Sequence, residues 1–192
     1  MIKCVRFFLM GALVLEIVNS VPALADPYSD TIAVFKQSPA VKSFFDNCYG
    51  YAVFPLVGKG GFVVGGAYGT GQVYAKGVVT GTTKLIKATF GLQAGGQAFS
   101  QMLFFEDKRA YEEFTSGSFE LGADVSAVAI TAGVQAKAGT EGATAGASAG
   151  PATGTQARTN YHKGMAVFVH AKGGLMFEAT VGGQKFSFEP KK

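Results

Sequence analysis

Apolar residues change their spacing twice along the chain. Tyr28 to Lys36, and then Val41, Phe44 and Phe45 after Ser38-Pro39, recur at helical intervals and predict two short helices over 28–36 and 39–47. Ser38 followed by proline is the expected start of the second, and its apolar stripe reads as a core-facing side. From Gly61 the period becomes two. Phe62, Val64, Gly66 and Tyr68 share one parity, and Gly61, Val63, Gly65, Ala67 and Gly69 the other, so this strand is large on one face and nearly bare on its reverse. Gly69-Thr70-Gly71 predicts a compact turn into Gln72–Lys76, making 58–77 a hairpin. Alternation resumes with Ile86, Ala88, Phe90, Leu92 and Ala94 against Lys87, Thr89, Gly91, Gln93 and Gly95, the pattern of a half-buried antiparallel strand.

Around Gly95-Gly96 the apolar parity shifts, ending on Phe99, Leu103 and Phe105, and a glycine pair is where a bulge or bend belongs. Asp107 to Thr115 predicts one further helix, with an acidic start and Ala110, Tyr111 and Phe114 at helical spacing. Phe119, Leu121, Ala123, Val125 and Ala127 begin another strand. It fades into a Gly/Ala/Thr/Ser tract over 135–157, which is either a loop or a strand pair where only small residues fit. Met165–Ala171 and Leu175–Phe188 predict two closing strands, with Gly173-Gly174 and Gly182-Gly183 as turns. Pro55 confines the run Tyr51–Phe54 to an edge or a strand end. The pattern gives an α+β domain: a strongly bent, mainly antiparallel sheet, or a barrel-like one, with two N-terminal helices and one further helix packed on it.

The first residues lie outside this scheme. Lys3 and Arg6 precede an apolar run from Phe7 to Val18, and Ala23-Leu24-Ala25 places small residues before Asp26, the layout of a secretory signal peptide over 1–25. The expected product is one exported domain over 26–192, periplasmic or extracellular and peripherally membrane-associated. It retains one cysteine, Cys48, and so has no internal disulfide. Asp26, not a cysteine, follows Ala23-Leu24-Ala25, so no lipid attachment is expected at the cleavage site. The net charge of +4 for the whole chain is a mild basic excess, compatible with an anionic surface and not calling for nucleic acid.

Chemistry-bearing motifs are few. No glycine trio between Gly58 and Gly77 has the spacing of a dinucleotide-binding loop, and Gly58-Lys59 is followed by Gly60 where a phosphate loop needs Ser or Thr. His162 and His170 form no sequence pattern with catalytic or metal-ligand spacing, so neither enzyme activity nor a cofactor is expected. What remains is a group of basic residues in or beside the glycine-rich strands: Lys59, Lys76, Lys84, Lys87, Arg158 and Lys163. Gathered on one rim, they would meet phosphate head groups.

The runs YAVFPLVGKGGFVVGGAYGTGQVYAKG, GLQAGGQAFSQMLFF, FELGADVSAVA and YHKGMAVF, in this order over residues 38–188, resemble the SYLF domain. That resemblance implies a lipid-binding module, binding phosphoinositides in eukaryotic members, some of which also associate with actin. An exported chain would meet bacterial anionic phospholipids or another envelope lipid instead. A reading from a different class is a structural or protein-interaction module docking a partner on a Gly/Ala-rich sheet face, where Phe62, Tyr68 and Phe90 are placed for packing.

Overall fold

A computed structural model describes residues 26–121, 127–130 and 160–192. The expected signal peptide, the small-residue tract over 135–157 and Arg158 lie outside the described residues.

The three helices begin where local chemistry starts them. α1 (Pro27–Lys36) is capped by Asp26, whose carboxylate accepts from the Tyr28 and Ser29 amides, and Pro27 fills the first turn. α2 (Pro39–Asn47) starts at Ser38 as expected, but the serine side chain is buried and caps nothing; its carbonyl accepts from the Val41 and Lys42 amides. α3 (Lys108–Thr115) is capped by Asp107, which accepts from Ala110 N at 2.8 Å.

Three long strands carry the sheet: β1 (Gly50–Ala75), β2 (Val78–Phe105) and, last in the chain, β5 (Met165–Pro190). Between α3 and β5 come β3 (Ser118–Leu121) and β4 (Ala127–Ala129). The order is β1-β2-β5-β3, antiparallel throughout, with β4 added parallel to β5. β1 is the edge strand that Pro55 requires, and its register with β2 slips between Phe54 and Val57, where the proline has no N–H to donate.

Each long strand is several times the usual length, and bending makes this compatible with a core. A Cβ on Gly61 would strike the backbone of Gly65, so β1 doubles back within these few residues. Val63, between them, takes a left-handed φ of 64°, and opposite it Gly91 and Gly95 of β2 also have positive φ. The second half of β1 thereby lies over the first. A Cβ on Gly69 would come 2.8 Å from Val57 Cγ2, and one on Gly71 2.7 Å from Phe54 Cδ1. The core between the two layers contains Phe54, Val57, Leu85, Leu103, Phe105 and Phe186, closed at one end by Phe114 of α3. Burying each such side chain contributes about 1.5–3 kcal/mol. A second core lies outside the first layer, where Phe35, Val41 and Phe44 of α1 and α2 cover Val53, Met102, Phe104 and Phe168.

Four expectations are corrected by this arrangement. Gly69-Thr70-Gly71 is not a turn: both glycines are buried in mid-strand so that the layers can approach, and the reversal is at Lys76-Gly77, both with positive φ. The stretch 58–75 is therefore part of one bent strand that runs into this turn, rather than a hairpin. The two closing strands are one, because β5 pairs with β2 along its whole length with a single slip beside Ala98. The sheet also stays open. Lys76 N–H reaches the Tyr49 carbonyl, but β1 on one side and β3 and β4 on the other remain edges, so the barrel-like alternative is not realised. The bent antiparallel α+β sheet with its three helices is as expected.

Candidate functional site

Bending decides which face of each strand is covered. In the second layer Thr83, Leu85, Thr89 and Gln93 point inward and are buried, while Ile86 and Phe90 point out. The expectation that the apolar parity of β2 is the buried one is thus inverted. Cross-strand pairing puts Val64 beside Phe90 and Tyr68 beside Ile86 on this outer face, with Phe62 beside Ala94 at the bend. All five large residues are exposed, Phe62 and Phe90 most of all at 78% and 70%. No helix lies over this face among the described residues. An exposed apolar cluster on one sheet face makes this the candidate interaction surface.

The bend carrying Phe62 is held from inside by Gln93. Its carboxamide nitrogen donates to the Val63 carbonyl at 3.2 Å, and its oxygen accepts from Thr89 Oγ1 at 3.0 Å. The amide occupies the space beside Gly65, where a Cβ would lie 2.7 Å from its Cδ. A buried polar plug thus fixes the carbonyl of a β-branched residue in a backbone region that such residues seldom adopt. Sequence reading placed Gln93 on the solvent side. Its alternation put it with the polar parity, and only the sense of the bend decides that this parity faces inward.

The basic residues do not gather on one rim. Lys84 is on the outer face, exposed, and pairs with Glu189 at 2.8 Å, which lifts its pKa and lowers that of the carboxylate. Lys59 and Lys87 are in the inward register, half-buried, one in each layer. Lys76 is in the β1–β2 turn with its ammonium 5.7 Å from the Tyr49 ring centroid, and Lys163 is in the turn before β5. Lys185, unremarked in the sequence, is beside Ile86 on the outer face and pairs with Glu120 at 3.1 Å. The hairpin as a whole is strongly one-signed: Gly50–Phe105 contains Lys59, Lys76, Lys84 and Lys87 and no acidic residue.

Ionisable groups elsewhere are set by burial. Under α1 a cavity of about 200 Å³ is lined by Asp30, Thr31, Ser100, His170 and Lys172. His170 Nδ1 is buried there without a hydrogen-bond partner, and burial, with Lys172 nearby, lowers its pKa. Burial pushes the Cys48 thiol up, and pushes Tyr51, stacked on Tyr74, up to about 12. Among the described residues no cluster of His, Cys, Asp or Glu has the geometry of a metal site.

A bent antiparallel sheet presenting a bare apolar face on a basic, acid-free hairpin is the architecture of a binding module. Residues 86–191 match the Ysc84 family, described as "Las17-binding protein actin regulator", and the chain belongs to this family, which carries the SYLF domain. A curated relative, "Beta cell expansion factor A" of Aeromonas veronii, is 28% identical over 156 residues, 81% of this chain and 51% of the relative. The chain therefore spans about half the length of that protein.

Proposed function

We propose that the protein is a non-enzymatic lipid-binding module of the bacterial cell envelope, exported and acting peripherally on anionic phospholipid surfaces. The observation that carries this reading is the charge of the Gly50–Phe105 hairpin: four lysines, no carboxylate, and an outward face no other described element covers. Such a surface is drawn to anionic head groups without a competing repulsion from its own strands. Lys84 and Lys185 on the outer face, and Lys59 and Lys87 half-buried beside the bend, are the head-group contacts; Lys76, Lys163 and Arg158 add to the long-range attraction. Family membership supports it, since the SYLF resemblance implies lipid binding.

The second reading, a protein-docking module, is favoured by the family description as a Las17-binding protein and by the same apolar face. Vesicle sedimentation of the purified protein separates the two. Vesicles of phosphatidylglycerol should retain it and vesicles of phosphatidylcholine should not, with retention falling as salt shortens the screening length from about 10 Å at 0.1 M to about 3 Å at 1 M. Absence of binding to either vesicle refutes the lipid reading.

A further inference from the structure

We infer that the protein enters the bilayer by one pre-shaped element, the bend of the hairpin, with Phe62, Val63, Val64 and Phe90 as the inserted wedge and Lys59 and Lys87 as its head-group anchors. The inference rests on the lipid reading above and names the part of the surface that passes the head groups.

The bend is convex and apolar at its tip, and its aromatic residues are the most exposed large hydrophobics described. A convex tip suits a deformable lipid layer better than a second rigid protein face, and its charge surroundings point the same way. Lys59 precedes Phe62 by three residues and Lys87 precedes Phe90 by three, so each strand places a lysine about 10 Å behind the tip at ~3.3 Å per residue. That matches the ~5–10 Å to which interfacial apolar faces sink, leaving the ammonium groups at phosphate depth while their stems remain against the strands. Lys84 and Lys185, further back on the outer face, are ion-paired with Glu189 and Glu120.

The wedge is also built in advance of any membrane. Val63 is held in a left-handed conformation by the hydrogen bond from the Gln93 amide to its carbonyl, and the Thr89 hydroxyl orients that amide. Phe62 and Val64 are therefore presented on either side of a fixed bulge, and no reorganisation of the tip precedes insertion. In this account Gln93 is a positioning residue, touching no lipid.

The chain contains no tryptophan, so Phe62→Trp gives the tip a single emission signal. With phosphatidylglycerol vesicles we expect a blue shift and quenching by lipids brominated on their acyl chains, and protection from aqueous iodide. The Phe62→Ser/Phe90→Ser double variant, altered only at exposed positions and checked for an unchanged circular dichroism spectrum, should lose vesicle affinity by about ten-fold or more. If the wild type binds anionic vesicles but the indole emission of the Phe62→Trp variant is quenched by iodide and not by brominated chains, the wedge is refuted and the head-group reading survives. If the wild type binds no vesicle, both fall together. A dimer in sedimentation velocity that the double variant dissolves, with vesicle binding unchanged, overturns the inference in favour of contact between two copies of this face.

Discussion

Replacing Gly71 by alanine tests the doubled-over sheet directly. The new methyl carbon would lie 2.7 Å from both Phe54 Cδ1 and the Val53 carbonyl oxygen, well inside an ordinary carbon contact of about 3.5–4.0 Å. The Phe54 ring is fully buried and packs against Phe186 at 5.8 Å, so it cannot swing away, and the carbonyl belongs to the strand backbone. The layers must therefore separate locally, which costs about 1–3 kcal/mol for an overpacked core. In a chain of this size each 1 kcal/mol lowers Tm by roughly 2–4 °C. Gly58→Ala is the control, because a Cβ there meets nothing within 4 Å. Urea denaturation followed by circular dichroism should give a lower midpoint for Gly71→Ala and an unchanged or slightly higher one for Gly58→Ala. Equal midpoints for Gly71→Ala and the wild type would refute the close approach of the two halves of β1.

Gln93→Leu keeps the volume of the plug but leaves the Val63 carbonyl without its donor, and should cost about 1–3 kcal/mol in the same urea assay; a neutral result would remove Gln93 from the account of the bend. His170 has a folded pKa below the ordinary histidine value of 6.5, so the unfolded chain binds the proton first. Its stabilisation is complete above pH 6.5 and is lost as pH falls through the depressed folded value. The wild-type urea midpoint should accordingly fall more between about pH 7 and pH 5 than that of His170→Asn, and parallel profiles would contradict the assignment. Lys84→Gln removes an exposed ion pair and should leave Tm unchanged while weakening retention on anionic vesicles. Cys48, half-buried with its thiol pKa raised, should react with a disulfide reagent near neutral pH far more slowly than after denaturation.

The elements that depend on near neighbours were legible before the fold. Ser38-Pro39 and Asp107 mark helix starts by a proline or a carboxylate within one turn, and α2 and α3 begin there, while α1 begins at Pro27, one residue before the predicted start. Alternation identified strands, and Pro55 identified an edge. Glycine was harder to read. Gly69 and Gly71 resemble turn residues in sequence, because the chemistry that permits a reversal also permits a close approach, and the contact that distinguishes them comes from Val57 and Phe54, far away along the same strand. The candidate site was legible only as ingredients. Phe62, Tyr68 and Phe90 stood out as packing residues and Lys59, Lys76, Lys84 and Lys87 as a basic set, without a shared geometry.

By itself, then, the sequence determined three helices, alternating strands rich in glycine, a set of lysines in or beside those strands, and membership of a recognisable family. Tertiary structure alone decided that the Gly61–Gly65 stretch folds one sheet into two layers, that Leu85, Thr89 and Gln93 face inward, and that Ile86 and Phe90 face out. The physical reason is that a period of two specifies two faces without labelling either. Which face is buried depends on what lies opposite: here Phe54 and Val57 of the first layer and Phe186 cover one side, while the other has no covering element among the described residues.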